Sequence, residues 1–213
     1  MTTAMFPIVL DLTARPCLVV GGGSVAERKV RGLIAAAAHV TVVSPAVTAP
    51  LHRWSIDSTI RHVAREYRRG DLGGFQLAFV ATNAPGVSAD VAAEGRERGV
   101  WVNAADDPAR CDFHLPAIVR RGDLVVAVAT GGTSPALARL VREELELYLG
   151  PDLALLADVA YAVRHELRRR GRRASGDAWT SAMRGDVRRL VAEGHRDEAE
   201  TLLCRTLEQA ACE

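Results

Sequence analysis

The sequence predicts an α/β fold: a parallel sheet wound with helices on both faces, then a small β-hairpin and a helical C-terminal region. Three observations predict it. A buried strand, a triple-glycine turn, a helix and a second strand succeed one another between Cys17 and Val43. Apolar runs and helical stretches then alternate as far as Ala104. Beyond Asp106 the rhythm changes to two short runs flanking Gly122-Asp123, and then to helix.

Cys17-Leu18-Val19-Val20 is continuously apolar and partly β-branched, as suits a strand covered on both faces. After Gly21-Gly22-Gly23, Ser24 to Ala37 reads as a helix with Val25, Val30, Leu33 and Ile34 on its apolar side. His39 to Val43 is the next strand, which completes the βαβ opening of a Rossmann-type, doubly wound sheet. Val47 to Ser55 is expected as a short helix and Ile60 to Ala64 as a strand. Leu77 to Ala81 is a buried strand and Thr82 to Pro85 a turn. Val87 to Arg98 is a helix stopped by Gly99, and Val100 to Ala104 is the last strand of the sheet.

Ala117 to Arg121 and Leu124 to Ala129 form the hairpin. Ser134 as N-cap and Pro135 as first helical residue open a helix to about Leu149, broken by Gly150-Pro151. From Asp152 the chain is helix-rich, with an interruption near Gly171 to Gly176. The expected division is 1–113, 114–150 and 151–213.

With 48% of its 213 residues apolar, the chain can build one sizeable core or two smaller ones. A net charge of +1 gives no general attraction to nucleic acid or membrane. No apolar run approaches the roughly 20 residues a membrane helix needs. Met1 to Pro7 lack the basic start and long apolar stretch of a secretory signal, so a cytoplasmic location is expected. Cys17, Cys111, Cys204 and Cys212 form no CxxC pair, which suggests neither a zinc site nor a disulfide framework. His39, His52, His62, His165 and His195 form no spaced cluster, and no permanent metal site is expected. Arg168-Arg169-Arg170-Gly171-Arg172-Arg173 reads as a solvated loop between helices; gathering a polyanion is the alternative. No aromatic residues interleave with it, which argues against single-strand recognition. Lys29 is the only lysine in a chain whose other basic residues are Arg.

Gly21-Gly22-Gly23-Ser24-Val25-Ala26 fits G-x-G-x-x-A. Gly21 permits the tight turn, Gly23 lets the backbone approach a pyrophosphate, and Ala26 allows close packing of helix on strand. The free N–H groups and positive end of the helix, at Ser24 and Val25, would face the phosphates. A glycine cluster alone also fits a plain turn; the strand before it and the helix after it favour a dinucleotide. The ribose-binding acid usual at the end of the second strand is missing, since Val43 is followed by Ser44-Pro45-Ala46. Backbone groups or Ser44, beside Pro45, would then hold the ribose. The carboxylate rule does not separate NAD from NADP here, and the lack of an Arg leans toward NAD.

Asp106-Asp107-Pro108 reads on composition as a turn, but Asp106 falls just beyond the carboxyl end of the last strand, where ligands gather in open α/β sheets. Thr130-Gly131-Gly132-Thr133-Ser134 is a capped helix start, or a receptor for a substrate carboxylate at Gly132, Thr133 and Ser134.

Several segments together resemble one family. They are the glycine turn with Val25-Ala26-Glu27-Arg28-Lys29, Ala81-Thr82-Asn83, Asn103 to Asp107, Phe113 to Ile118, and Thr130 to Arg139. The chain is similar to the NAD-dependent precorrin-2 dehydrogenases, including the amino-terminal part of siroheme synthases, from Phe6 to about Leu149. The resemblance implies oxidation of precorrin-2 to sirohydrochlorin with NAD, and in some members insertion of ferrous iron, with cobaltous ion as a variant. It implies that Asp106 is the catalytic acid/base, that Thr82 and Asn83 lie at the cofactor and Asn103 at the substrate, and that the hairpin region makes a homodimer. His114 departs from the apolar residue usual there; it is structural, or it touches substrate or metal. No fused methyltransferase module is expected. Two rival readings stay open: a dehydrogenase without chelatase activity, and a non-catalytic nucleotide-sensing module.

Overall fold

The computed structural model describes residues 5–105 and 107–210. The chain divides into two compact units, Met1–Leu115 and Pro116–Glu213.

The first unit is a five-stranded parallel sheet in the order β3-β2-β1-β4-β5. Its strands are β1 (Pro16–Val20), β2 (His39–Val43), β3 (Arg61–Val63), β4 (Leu77–Val80) and β5 (Trp101–Ala104). The helices are α1 (Ser24–Ala35), α2 (Ala49–Ile56) and α3 (Val87–Arg98). Alternate residues of each strand point to opposite faces, and this sorts the apolar side chains into two cores. Cys17, Val19, Val40, Val42 and Phe79 pack with Val30 and Leu33 of α1 and Leu51 of α2. Leu18, Val20, Ala78, Val80 and Val102 pack with Val91 of α3 and with Leu72. The expected doubly wound sheet is therefore borne out. α3 lies so close to β5 that a Cβ on Gly95 would collide with Val102 Cγ2.

One stretch is irregular where periodicity says little. Residues 64–76 form a loop fastened by a buried carboxylate. Glu94 of α3 is fully buried. It accepts hydrogen bonds from the Tyr67 hydroxyl (2.5 Å) and the Gly70 amide (2.9 Å). Its other oxygen pairs in charge with Arg98 Nε at 2.6 Å without a well-aligned hydrogen bond.

The second unit contains the hairpin β6 (Ala117–Arg121) and β7 (Leu124–Val128), then α4 (Pro135–Tyr148), α5 (Asp152–Arg169), α6 (Gly176–Ala182), α7 (Asp186–Ala192) and α8 (Arg196–Ala210). Gly122, at φ +57°, makes the two-residue turn and would carry a Cβ 3.3 Å from the Ala154 side chain of α5. The hairpin and the C-terminal helices thus pack within one unit, whereas the sequence divided them at residue 150. Val159, Val163, Leu167, Leu190, Leu203 and Leu207 form the core of the helical part. Gly185 and Gly194, both with positive φ, end or start helices that the sequence reading left undivided.

Candidate functional site: a glycine turn at the switch point of the sheet

The order β2-β1-β4 places the reversal of winding between β1 and β4, and open α/β sheets bind ligands at the carboxyl edge of such a crevice. The three glycines that follow β1 do different work there. Gly21 has φ +120°, and a Cβ on it would fall inside the Ala81 carbonyl oxygen at the end of β4. A Cβ on Gly22 would collide with the Ala46 carbonyl oxygen and lie 2.8 Å from Ser44 Oγ. Gly23, the N-cap of α1, has nothing within 4 Å of its Cβ position. Two glycines therefore let three loops close on one another, and the third leaves open space in front of a helix N-terminus.

Helix α1 receives no side-chain cap at Gly23. Its first N–H groups, including those of Ser24 and Val25, are the unpaired donors that a helix start offers to an anion. These residues fit a dinucleotide pyrophosphate. The loop after β2 is locked to the turn: the Thr48 amide donates to the Gly22 carbonyl (2.9 Å), and the Thr48 hydroxyl donates to Glu27 Oε2 (2.9 Å). Ser44 is buried and donates its hydroxyl hydrogen to the Ala46 carbonyl at 2.7 Å. Ser44 can thus offer a ribose only lone pairs. His62 Nε2 lies 2.9 Å from the Ser44 carbonyl oxygen. Pro45 and Asn83 are exposed beside this edge, and the Thr82 hydroxyl accepts from the Ala84 amide (3.2 Å).

At the end of β5, Asn103 is buried, and its carboxamide is engaged on both sides. Its Oδ1 accepts from Lys29 Nζ (3.3 Å); its Nδ2 donates to the Phe113 carbonyl (2.8 Å) and to Cys111 Sγ (3.6 Å). Asp106, the expected acid/base, lies outside the described residues. The positions flanking it are tied together: Cys111 Sγ lies 3.2 Å from the Ala104 carbonyl and 3.4 Å from that of Asp107, and Arg110 pairs with Asp107. Burial pushes the Cys111 thiol above its ordinary pKa. His114 is half-buried. In the sequence Lys29 stands out as the one lysine and as part of the segment after the glycine turn that carries the resemblance, with no role attached; its contacts join elements far apart in the chain, which no local pattern encodes.

Gly132, Thr133 and Ser134 belong to the second unit. Ser134 caps α4 as expected, its Oγ accepting from the Leu137 amide (3.2 Å). The Thr133 hydroxyl donates to the Thr130 carbonyl (2.6 Å) and that of Thr130 to the Ser134 carbonyl (3.0 Å). Gly131 and Gly132 both have positive φ and are exposed. Among the described residues no group of three or more His, Cys, Asp or Glu is placed to hold a metal ion, and no helix is long and apolar enough to cross a membrane.

A parallel sheet with an open, glycine-lined helix start at its switch point defines a dinucleotide-binding protein. Residues 8–117 match the family model described as "Putative NAD(P)-binding", and the chain belongs to that family. Residues 121–146 match a second model, "Sirohaem biosynthesis protein central".

The chain is 37% identical over 207 residues to a siroheme synthase of Nitrosomonas europaea, covering 96% of this chain and 44% of that protein. It is 39% identical over 196 residues to one of Photobacterium profundum, covering 91% and 42%. The chain thus spans somewhat under half the length of these relatives. A solved structure titled "SirC, precorrin-2 dehydrogenase" matches with a TM-score of 0.65 and 25% identity over 98% of this chain and 100% of that one. The resemblance drawn from the sequence is borne out.

Proposed function

We propose that this chain oxidises precorrin-2 to sirohydrochlorin with NAD as acceptor. The observation that carries the reading is the open helix start at Gly23, set on the same sheet edge as the end of β5. One strand, β4, separates β1 from β5, so the two features lie about 10 Å apart at the strand spacing of a sheet. The likeness to a precorrin-2 dehydrogenase along nearly the whole chain supports the substrate.

When bound, NAD supplies the hydride acceptor. The N–H groups of Ser24 and Val25 hold its pyrophosphate, with Gly21 and Gly23 giving access. Ser44 and Pro45 would hold its ribose, and Thr82 and Asn83, in the loop after β4, would line the cofactor site. Oxidation of the macrocycle removes a hydride, which a bound nicotinamide would accept, and a proton, which the Asp106 carboxylate would take. Asn103, with its carboxamide already committed, shapes the floor of the substrate site. His114 borders it, and the Gly132-Thr133-Ser134 segment receives a substrate carboxylate. Ferrous or cobaltous ion, where inserted, is a second substrate, and a cytoplasmic location goes with the reading.

The acting form is a homodimer. On α4, Leu137, Leu140, Leu147 and Tyr148 are exposed and fall on one stripe of about 100°, while the helix packs its other side on the hairpin, whose Ile118 is also exposed.

Purified protein given precorrin-2 and NAD should form NADH and sirohydrochlorin in equal amounts, and Asp106→Ala should abolish this while folding normally. Binding of NAD without turnover would favour a sensing module. Turnover that persists fully in Asp106→Ala would remove the assigned base. Sirohydrochlorin with ferrous ion and no NAD separates the chelatase from the dehydrogenase.

A further inference from the structure

We propose that Lys29 is a positioning residue, which through Asn103 and Cys111 keeps the backbone of Ala104 and of Asp107 in register with the dinucleotide-binding helix. The inference rests on the reading of Asp106 as the catalytic base, since Asp106 lies between those two residues in the sequence.

Lys29 sits in the second turn of α1, the helix whose start faces the cofactor site. Its ammonium lies 5.6 Å from the centre of the Phe79 ring and 3.3 Å from Asn103 Oδ1. The Phe79 ring also meets Phe113 edge-on, with centroids 5.4 Å apart at 87°. From Asn103 the chain of contacts continues through Nδ2 to Cys111 Sγ and the Phe113 carbonyl, and from Cys111 to the carbonyls of Ala104 and Asp107. Helix α1, strands β4 and β5 and the segment leaving β5 all converge on these few atoms.

A charged donor orients a carboxamide more strongly than a neutral one does. The Asn103 amide is buried, so its oxygen has no water to turn to if the ammonium is lost. The amide would then reorient, release Cys111, and loosen the hold of its thiol on the Ala104 and Asp107 carbonyls. The Phe79 ring beneath the ammonium adds to its hold.

The test compares Lys29→Met and Lys29→Arg with the parent protein in three measurements: steady-state kinetics, NAD affinity by calorimetry, and the rate at which N-ethylmaleimide modifies Cys111, followed by peptide mass spectrometry without cofactor. Lys29→Met should lower kcat about 10- to 100-fold, the scale of a small misplacement of a catalytic group, with NAD affinity within about twofold of the parent. Its Cys111 should react on the order of tenfold faster, as local opening exposes the thiol. Loss of the nearby positive charge alone would raise the thiol and slow the reaction, so acceleration reports opening. Lys29→Arg should restore most of both properties. An unchanged alkylation rate in folded Lys29→Met overturns the proposal. So does a fall in NAD affinity that accounts for the lost turnover, which would make Lys29 a cofactor ligand. Should Lys29→Met fail to fold, Lys29→Gln gives the same readouts. Asp106→Asn tests the base separately: full turnover there would remove the base while leaving the alkylation result intact.

Discussion

Gly23→Asp should raise the stability of the protein while destroying its affinity for NAD. The backbone at Gly23 has φ −81° and ψ −172°, an extended conformation open to any residue, and its Cβ position meets nothing within 4 Å. An aspartate at this N-cap would accept from the free amides of α1 and complement the positive end of its dipole. Exchanging Gly for Asp at a cap gives a few tenths of a kcal/mol, and the charge adds about 0.3–1 kcal/mol. A gain of about 1 kcal/mol corresponds to a rise in Tm of about 2–4 °C for a protein of this size. The same carboxylate occupies the pyrophosphate position and repels it. Losing two charge-assisted hydrogen bonds, at about 1.5–3 kcal/mol each, weakens NAD binding at least about 100-fold. Scanning calorimetry and NAD titration on one preparation read both quantities. Gly21→Ala provides the contrast: a methyl forced against the Ala81 carbonyl at φ +120° should cost roughly 3 kcal/mol and lower Tm regardless of ligand. If Gly23→Asp lost stability, or kept parental NAD affinity, the assignment of the turn would be wrong.

Other consequences can be measured alongside. Burial alone would raise the Glu94 carboxyl, but the Tyr67 hydroxyl, the Gly70 amide and Arg98 outweigh it and hold the group below its ordinary value of 4.5. With the folded pKa depressed, its contribution is complete above the unfolded value and is lost as pH falls through the folded one. Urea denaturation below about pH 4.5 should therefore show a loss that is smaller in Glu94→Gln, a variant expected to be weaker by about 2 kcal/mol at neutral pH. Ser134→Ala removes the cap of α4 and should cost about 1 kcal/mol, read from the thermal transition. Leu140→Asp, placed in the exposed stripe of α4, should shift sedimentation from dimer to monomer without loss of helix by circular dichroism.

The parts legible in the sequence were those whose cause is local. Val87–Arg98 and His39–Val43 are legible to the residue, because Gly99 in the left-handed region ends the former and β-branched residues from Val40 to Val43 make most of the latter. Ser134 as a cap followed from residue type alone. The division of labour within the glycine turn was only half visible. The motif spacing assigns roles to Gly21 and Gly23, while that of Gly22 depends on the Ala46 carbonyl, which folding brings from the loop after β2. The sequence leaves the ribose to backbone groups or to Ser44, and the Ser44 hydroxyl hydrogen proves committed to the chain itself. Asn103 is likewise committed, in part to Lys29, 74 positions away. Spacing along a chain carries no trace of such a contact.

The brace between the glycine turn and the loop after β2 has a consequence for how coenzyme preference can change. It is made by the Ala46 carbonyl, the Thr48 amide and the Thr48 hydroxyl, and it asks nothing of the side chains at 45 and 46, which point outward. An arginine or an acid can therefore be installed at those two places with the scaffold undisturbed, so that discrimination between phosphorylated and unphosphorylated ribose becomes a matter of surface substitution. The cradle stays fixed while selectivity drifts.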